Sequence, residues 1–216
     1  LQKHGTSPAQ ACQCEVPDSW TIKPNKDNYL VFATRPTDGA AFLLVADPVP
    51  RWRTLDDSSF ITSLKLVDYL HSFKLVSSSY VTLNQQRFFS QNKTIVKKGY
   101  QVYVHDLIIC ANGYKYIVVA TKVSGDPESD SELKAAELSF SFISPPQIHV
   151  KIHMSLLEKL SEYDRIISTN KNLTVRLICL LEKYLLICRY IVGPLVGIVV
   201  LFGIGIFLWY KTRRKI

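Results

Sequence analysis

The sequence predicts an α+β domain, then a helical stalk, then one transmembrane helix. Three observations predict this order. Residues 15–144 alternate β-type apolar runs, separated by turn signals, with two stretches of helical spacing. Beyond Pro145-Pro146 the apolar spacing is helical, in segments broken at Ser168 to Asn172. From Tyr190 to Tyr210 there is no charged residue at all. The chain has 216 residues, 47% of them hydrophobic, which excludes a disordered or collagen-like polymer. Its net charge of +8 invites a nucleic-acid partner until the charge is located. Residues 1–146 carry 15 basic and 14 acidic groups, whereas residues 147–216 carry 11 and 4. The domain is therefore nearly neutral and offers no field for nucleic acid.

Following a short N-terminal segment, 1–14, the domain spans residues 15–146. Tyr29 to Thr34 and Ala40 to Ala46 read as strands joined through Asp38-Gly39, and Asp47-Pro48-Val49-Pro50 stops the second. Asp56 to Ser59 offer N-caps for a helix bearing Phe60, Ile61, Leu64, Val67 and Leu70. Ser77 to Leu83 and Gln86 to Ser90 are shorter strand candidates. Tyr100 to Cys110 and Tyr114 to Val123 form the longest hairpin, turned at Asn112-Gly113. An acidic loop leads to a short helix near Ser131 to Ala136. A strand with Leu138, Phe140 and Phe142 on one face closes the domain.

Two amphipathic segments, Val150 to Ile167 and Leu173 to Cys188, make the stalk over residues 147–189. The span follows at 190–210. At 1.5 Å per residue it would reach about 31 Å, close to the roughly 30 Å hydrocarbon core. Tyr190 at one end and Trp209 with Tyr210 at the other are interfacial aromatic anchors. Lys211, Arg213, Arg214 and Lys215 in the tail 211–216 place the C-terminus in the cytoplasm or stroma and the domain on the extracytoplasmic or lumenal side. Gly193 and Gly197 have the small-xxx-small spacing that lets a partner helix approach. A first residue Leu1 fits a removed leader or a fragment.

The opening Val16-Pro17-Asp18-Ser19-Trp20, the strands around Pro36 to Gly39, the helix from Phe60 to Leu75, the hairpin around Asn112 to Tyr116 and the closing Ser139 to Phe142 resemble the PsbP-like superfamily. That group includes thylakoid PsbP, DcrB-type lipoproteins and a nuclear Ran-binding relative. The resemblance covers roughly 60% of the chain and implies an α/β/α sandwich around a central antiparallel sheet. It also implies a non-catalytic assembly or docking role. A C-terminal anchor departs from soluble PsbP.

No catalytic or phosphate-cradling motif is present, and no cofactor is expected. His149 and His153 share a helical face but have no third ligand nearby, so they read as polar-face residues. His105 and Asp106 are adjacent in a strand, which points them to opposite faces and gives each a structural role. Asp126, Glu128, Asp130 and Glu132 lack the glycine and terminal glutamate of a calcium loop and read as a solvated run feeding a helix. Of five cysteines, Cys110 reads as buried, Cys179 and Cys188 as juxtamembrane, and pairing by Cys12 or Cys14 stays open. Asn92 and Asn172 head glycosylation sequons usable only in a secretory pathway. Function is thus expected to be that of a non-catalytic accessory or assembly subunit, with the bilayer and other membrane-complex subunits as partners. A ligand-binding or sensor module with a pocket near Tyr114 to Tyr116, and an enzyme of scattered site residues, are the rivals.

Overall fold

The structure, a computed structural model, describes residues 3–5, 12–23, 29–148, 154–170 and 173–194. Its centre is a seven-stranded, wholly antiparallel sheet. In chain order the strands are β1 (Lys3–Gly5), β2 (Cys12–Cys14), β3 (Thr21–Ile22), β4 (Tyr29–Thr34) and β5 (Ala41–Pro48), then β6 (Lys74–Leu83), β7 (Gln86–Lys97), β8 (Tyr100–Ala111), β9 (Tyr114–Lys122) and β10 (Ser141–Phe142). The large sheet runs β3-β4-β5-β9-β8-β7-β6, two meanders joined where β5 pairs with β9. β1, β2 and β10 form a small second sheet.

The helices are α1 (Ser58–Leu70), α2 (Ser131–Leu138), α3 (Leu156–Thr169) and α4 (Leu173–Ile187). One face of the large sheet buries Phe42, Leu44, Tyr116 and Val118 under Leu133 and Ala136 of α2, Trp20 and Phe140. The opposite face packs Phe89, Ile108 and Cys110 against Phe60 and Leu64 of α1. Alternation along β8 and β9 divides the two cores, since successive strand residues point to opposite sides. The α+β class with a central antiparallel sheet is therefore present, with helices on both faces.

Several elements differ from their expected extents. The strands expected at Ser77 to Leu83 and Gln86 to Ser90 are longer, and β7 runs to Lys97. The turns that bound them place non-glycine residues at positive φ: Asn84 (48°), Gln85 (63°) and Lys98 (51°). Turn chemistry of that kind leaves a weaker trace than Asn112-Gly113, which turns β8 into β9 as expected. The helix expected to reach Leu75 ends at Leu70, and Ser72, at φ 61°, redirects the chain into β6. The closing strand is also shorter. Leu138 belongs to α2, and only Ser141–Phe142 is extended, paired with β2 rather than the large sheet. Cys12 and Cys14 thus enter the core of the domain.

The stalk residues form an antiparallel helical pair beside the domain. Ser155 caps α3 reciprocally with Glu158, each side chain accepting from the other's backbone N–H. A buried knot of Tyr163, Ile166, Val175 and Cys179 joins α3 to α4, and Trp52 of the domain packs on it. After Ile187 a π-helical turn, Cys188–Val192, continues the helix. No helix among the described residues is long and apolar enough to cross a membrane. Of the expected span, Tyr190 to Pro194 are described. Gly197, Trp209, Tyr210, Lys211, Arg213, Arg214 and Lys215 lie outside the described residues, as do His149, His153 and Asn172.

Candidate functional site

The main candidate lies where α4 passes over the sheet. On β5 and β9 the residues facing this side are Val45, Asp47, Lys115 and Ile117, paired across the ladder as Val45 with Ile117 and Asp47 with Lys115. α1 packs on β7 and β8 and reaches β9 at Ile117, and α4 passes over the rest of this face at a distance. A cavity of about 690 Å³ remains between them. The space opens to solvent, so it is filled by water or by a ligand. Its volume is in the roughly 300–1,000 Å³ range of small-molecule pockets.

Charge is placed at two points of the lining. Lys115 Nζ lies 3.0 Å from Asp47, both side chains nearly buried. Burial opposes the ammonium form, but the Asp47 charge outweighs it and raises the Lys115 pKa. At the other end Arg53, 2% exposed, donates to Asp57 at 2.8 Å, to the Tyr163 hydroxyl at 2.8 Å, and to Glu182 of α4. The Tyr163 hydroxyl in turn donates to Glu182 at 3.2 Å. This network bolts the helical pair to the domain. Arg51-Trp52-Arg53, a basic pair around an aromatic in the sequence, is thus mostly a clamp between segments 110 and 129 residues apart. Beyond Glu182 a second cleft of about 410 Å³ continues between α1 and the helical pair and ends at Lys159, Arg189 and Tyr190.

A polar cluster occupies the face of the sheet under α2. Ser90 Oγ is 2.9 Å from His105 Nε2, and His105 Nδ1 is 2.8 Å from Glu137. All three are buried. Burial disfavours the imidazolium, but the hydrogen bond and charge of Glu137 prevail and raise the His105 pKa. The order hydroxyl, imidazole, carboxylate is that of a nucleophilic triad. Ser90, however, stands within β7, paired on both sides, so the neighbouring backbone N–H groups point along the ladder and not into the 110 Å³ space beside it. A triad without oxyanion donors lacks what contributes most to acyl transfer. Asp106 faces the other way. There it shares Lys93 with Asp68, whose Oδ1 is 2.8 Å from the ammonium.

The remaining sequence candidates are tied into the fold. Asp126 caps the 3₁₀ turn Pro127–Ser129, and Asp130 caps α2. Arg35 gathers Asp38, Asp130 and Glu132 at 2.6 to 2.8 Å, and Lys122 adds a second cation to Asp130. Of the run expected to be a solvated feed into a helix, Asp126 and Glu128 are exposed and Asp130 caps α2, but Asp130 and Glu132 also hold the β4–β5 turn to α2. No group of three metal-ligating side chains occurs among the described residues. Asn92 is half-buried in mid-strand, donating to Glu128 at 2.8 Å and to Ser77. Burial pushes the Cys12, Cys110 and Cys179 thiols up to about 12. Cys14 rises likewise, by burial and then by the charge of Cys12. Tyr116 packs against Tyr114 and Phe142 on the far face, while Lys115 and Ile117, which alternate with them, line the cavity.

Sequence reasoning missed Glu182, Ser90 and Glu137, and took Arg53 only as a basic point beside Trp52. Strand register and helix docking bring Glu182 to Arg53, and Ser90 and Glu137 to His105.

No protein-family model matches the chain, and no curated protein matches it. Among solved structures, a Bacteroides thetaiotaomicron protein is similar at 12% identity, covering 86% of this chain and 77% of its own, with a TM-score of 0.48. Cyanobacterial PsbP from Synechocystis sp. PCC 6803 is similar at 10% identity over 64% of this chain and 90% of its own, TM-score 0.47. The Saccharomyces cerevisiae Ran-binding protein Mog1p follows at 10%, 62%, 90% and 0.43. These are likenesses of chain path, and no function passes through them.

Proposed function

We propose that this chain is a non-catalytic, membrane-tethered accessory subunit that presents a PsbP-like domain to a larger complex on the extracytoplasmic or lumenal side. The observation that carries the reading is the outer face of α4. Leu173, Leu177, Leu180 and Tyr184 recur at helical spacing and are all exposed, although the inner face of the same helix is already used in the core. An apolar helical stripe left in water marks an interaction surface. This one leads through Tyr190, Ile191 and Val192 into the uncharged run ending at Tyr210. A bilayer, or a partner embedded in it, is the medium that suits both.

The far edge of the domain offers a protein-binding surface. β6 is an edge strand of 10 residues, exposed along most of its length, with Val76 outward and the exposed Tyr69 and Leu70 of α1 nearby. Long exposed edges accept a strand from a partner unless charge or a bulge blunts them. Here one irregularity, between Leu75 and Ser77, interrupts an otherwise regular ladder.

Copurification in a gentle detergent tests the reading. A stoichiometric partner that is lost on Val76→Lys supports it. A monodisperse lone chain, or a chain recovered in the soluble fraction without detergent, overturns it.

A further inference from the structure

We propose that the space beneath α4 is a binding site for a single-chain amphiphile with an anionic head. This rests on the cavity and does not depend on the docking reading above. The two spaces share Ser63, Ile178 and Glu182 in their linings and adjoin at the Arg53–Glu182 contact, where a chain passing between them would cross. Their joint lining follows α4 from Val175 to Tyr190, about 22 Å along a helix axis. A long, narrow apolar path suits an acyl chain better than a compact ring system.

Charge sets the polarity of the ligand. Within the larger cavity Lys115 is matched by Asp47, and Arg53 by Glu182 and Asp57. The opposite end differs. Lys159 and Arg189 line the cleft there and make no ion pair among the described residues. Lys159 Nζ sits 5.5 Å from the Trp52 ring and 5.8 Å from the Tyr190 ring, which holds the cation at the mouth. Two unpaired cations at one end of an apolar passage select an oxyanion head, a carboxylate or a phosphate monoester, with its tail running under Ile178 toward Ile117.

The test uses the full chain in phosphatidylcholine nanodiscs and a long-chain fatty acid carrying a photoactivatable diazirine at its tail. Saturable labelling is expected on residues around Ile178, Val45 and Ile117. Palmitate should compete, lysophosphatidate should compete if a phosphate head is also accepted, and the matched fatty alcohol should compete poorly. Lys159→Gln with Arg189→Gln, both peripheral to the core, should weaken fatty-acid labelling about tenfold and leave alcohol labelling unchanged. Ile178→Trp, which fills the place where the two spaces adjoin, should abolish both. Labelling confined to residues 190–210, or fatty-acid labelling that the charge variants leave unaltered, overturns the proposal. The charge variants keep the test decisive if the tryptophan variant does not fold.

Discussion

Single side chains carry the long-range order of this molecule, and Arg53 carries the most. A guanidinium buried among Asp57, Tyr163 and Glu182 is stable only while its partners are present. Glu182→Gln should therefore cost about 3 kcal/mol in chemical denaturation, since it leaves a buried cation undercompensated. It should also open the α3–α4 pair to proteolysis before the sheet unfolds; simultaneous cleavage of both would argue against a clamp. His105 gives a pH-dependent counterpart. Glu137, against the opposition of burial, raises the His105 pKa, with Glu128 and Asp106 contributing in the same sense. A group whose folded pKa is raised contributes its stability below the ordinary histidine value, and loses it as pH climbs through the folded value. The melting-temperature gap between wild type and His105→Asn should thus be widest below the ordinary histidine value while Glu137, whose own pKa burial raises, is still ionised, and shrink toward alkaline pH. A gap that grows with pH above the ordinary histidine value would exclude the ion pair. Neither site could be read from spacing. His105 and Asp106 were legible as opposite-facing strand residues because period two is local, whereas Ser90 and Glu137 become neighbours only through register.

Elements were legible where their signals are local. Asn112-Gly113 announced its hairpin because both residues take positive φ, 56° and 75°, which those residue types tolerate. Gly113→Ala should destabilise the chain by about 1–2 kcal/mol, because a Cβ there would sit 3.3 Å from Arg51 Cγ as well as straining φ. Equilibrium denaturation measures it. Ser155→Ala should cost about 1 kcal/mol by removing the reciprocal cap of α3. If that loss is absent, the cap contributes nothing beyond solvent. Strands β6 and β7 were underestimated for the converse reason. Their turns use Asn84-Gln85 and Lys98-Gly99, and β6 is exposed on an edge, so neither turn composition nor alternation marks its full length. The closing strand was misassigned because Leu138, Phe140 and Phe142 alternate correctly for a strand. Asp130 nevertheless caps a helix that runs through Leu138.

At the scale of the whole molecule, the helical pair is an integral layer over one sheet face that also leads toward the uncharged run. Protease added to the cytoplasmic side of sealed vesicles should leave residues 15–145 intact and remove at most the basic tail. Digestion of the domain from that side would reverse the proposed topology. Taken alone, the sequence determined the α+β class, most element positions, the two-helix segment after Pro146 and the separation of a near-neutral domain from a basic C-terminal third. Each of these rests on hydrophobic period, turn composition or charge counts, which neighbouring residues set among themselves. Tertiary structure alone decided that Cys12 and Cys14 belong to the core, that Arg53 meets Glu182, and that α4 stands off the sheet over a cavity. Those facts depend on which distant surfaces meet, and contact between surfaces leaves no periodic trace in the chain that forms them.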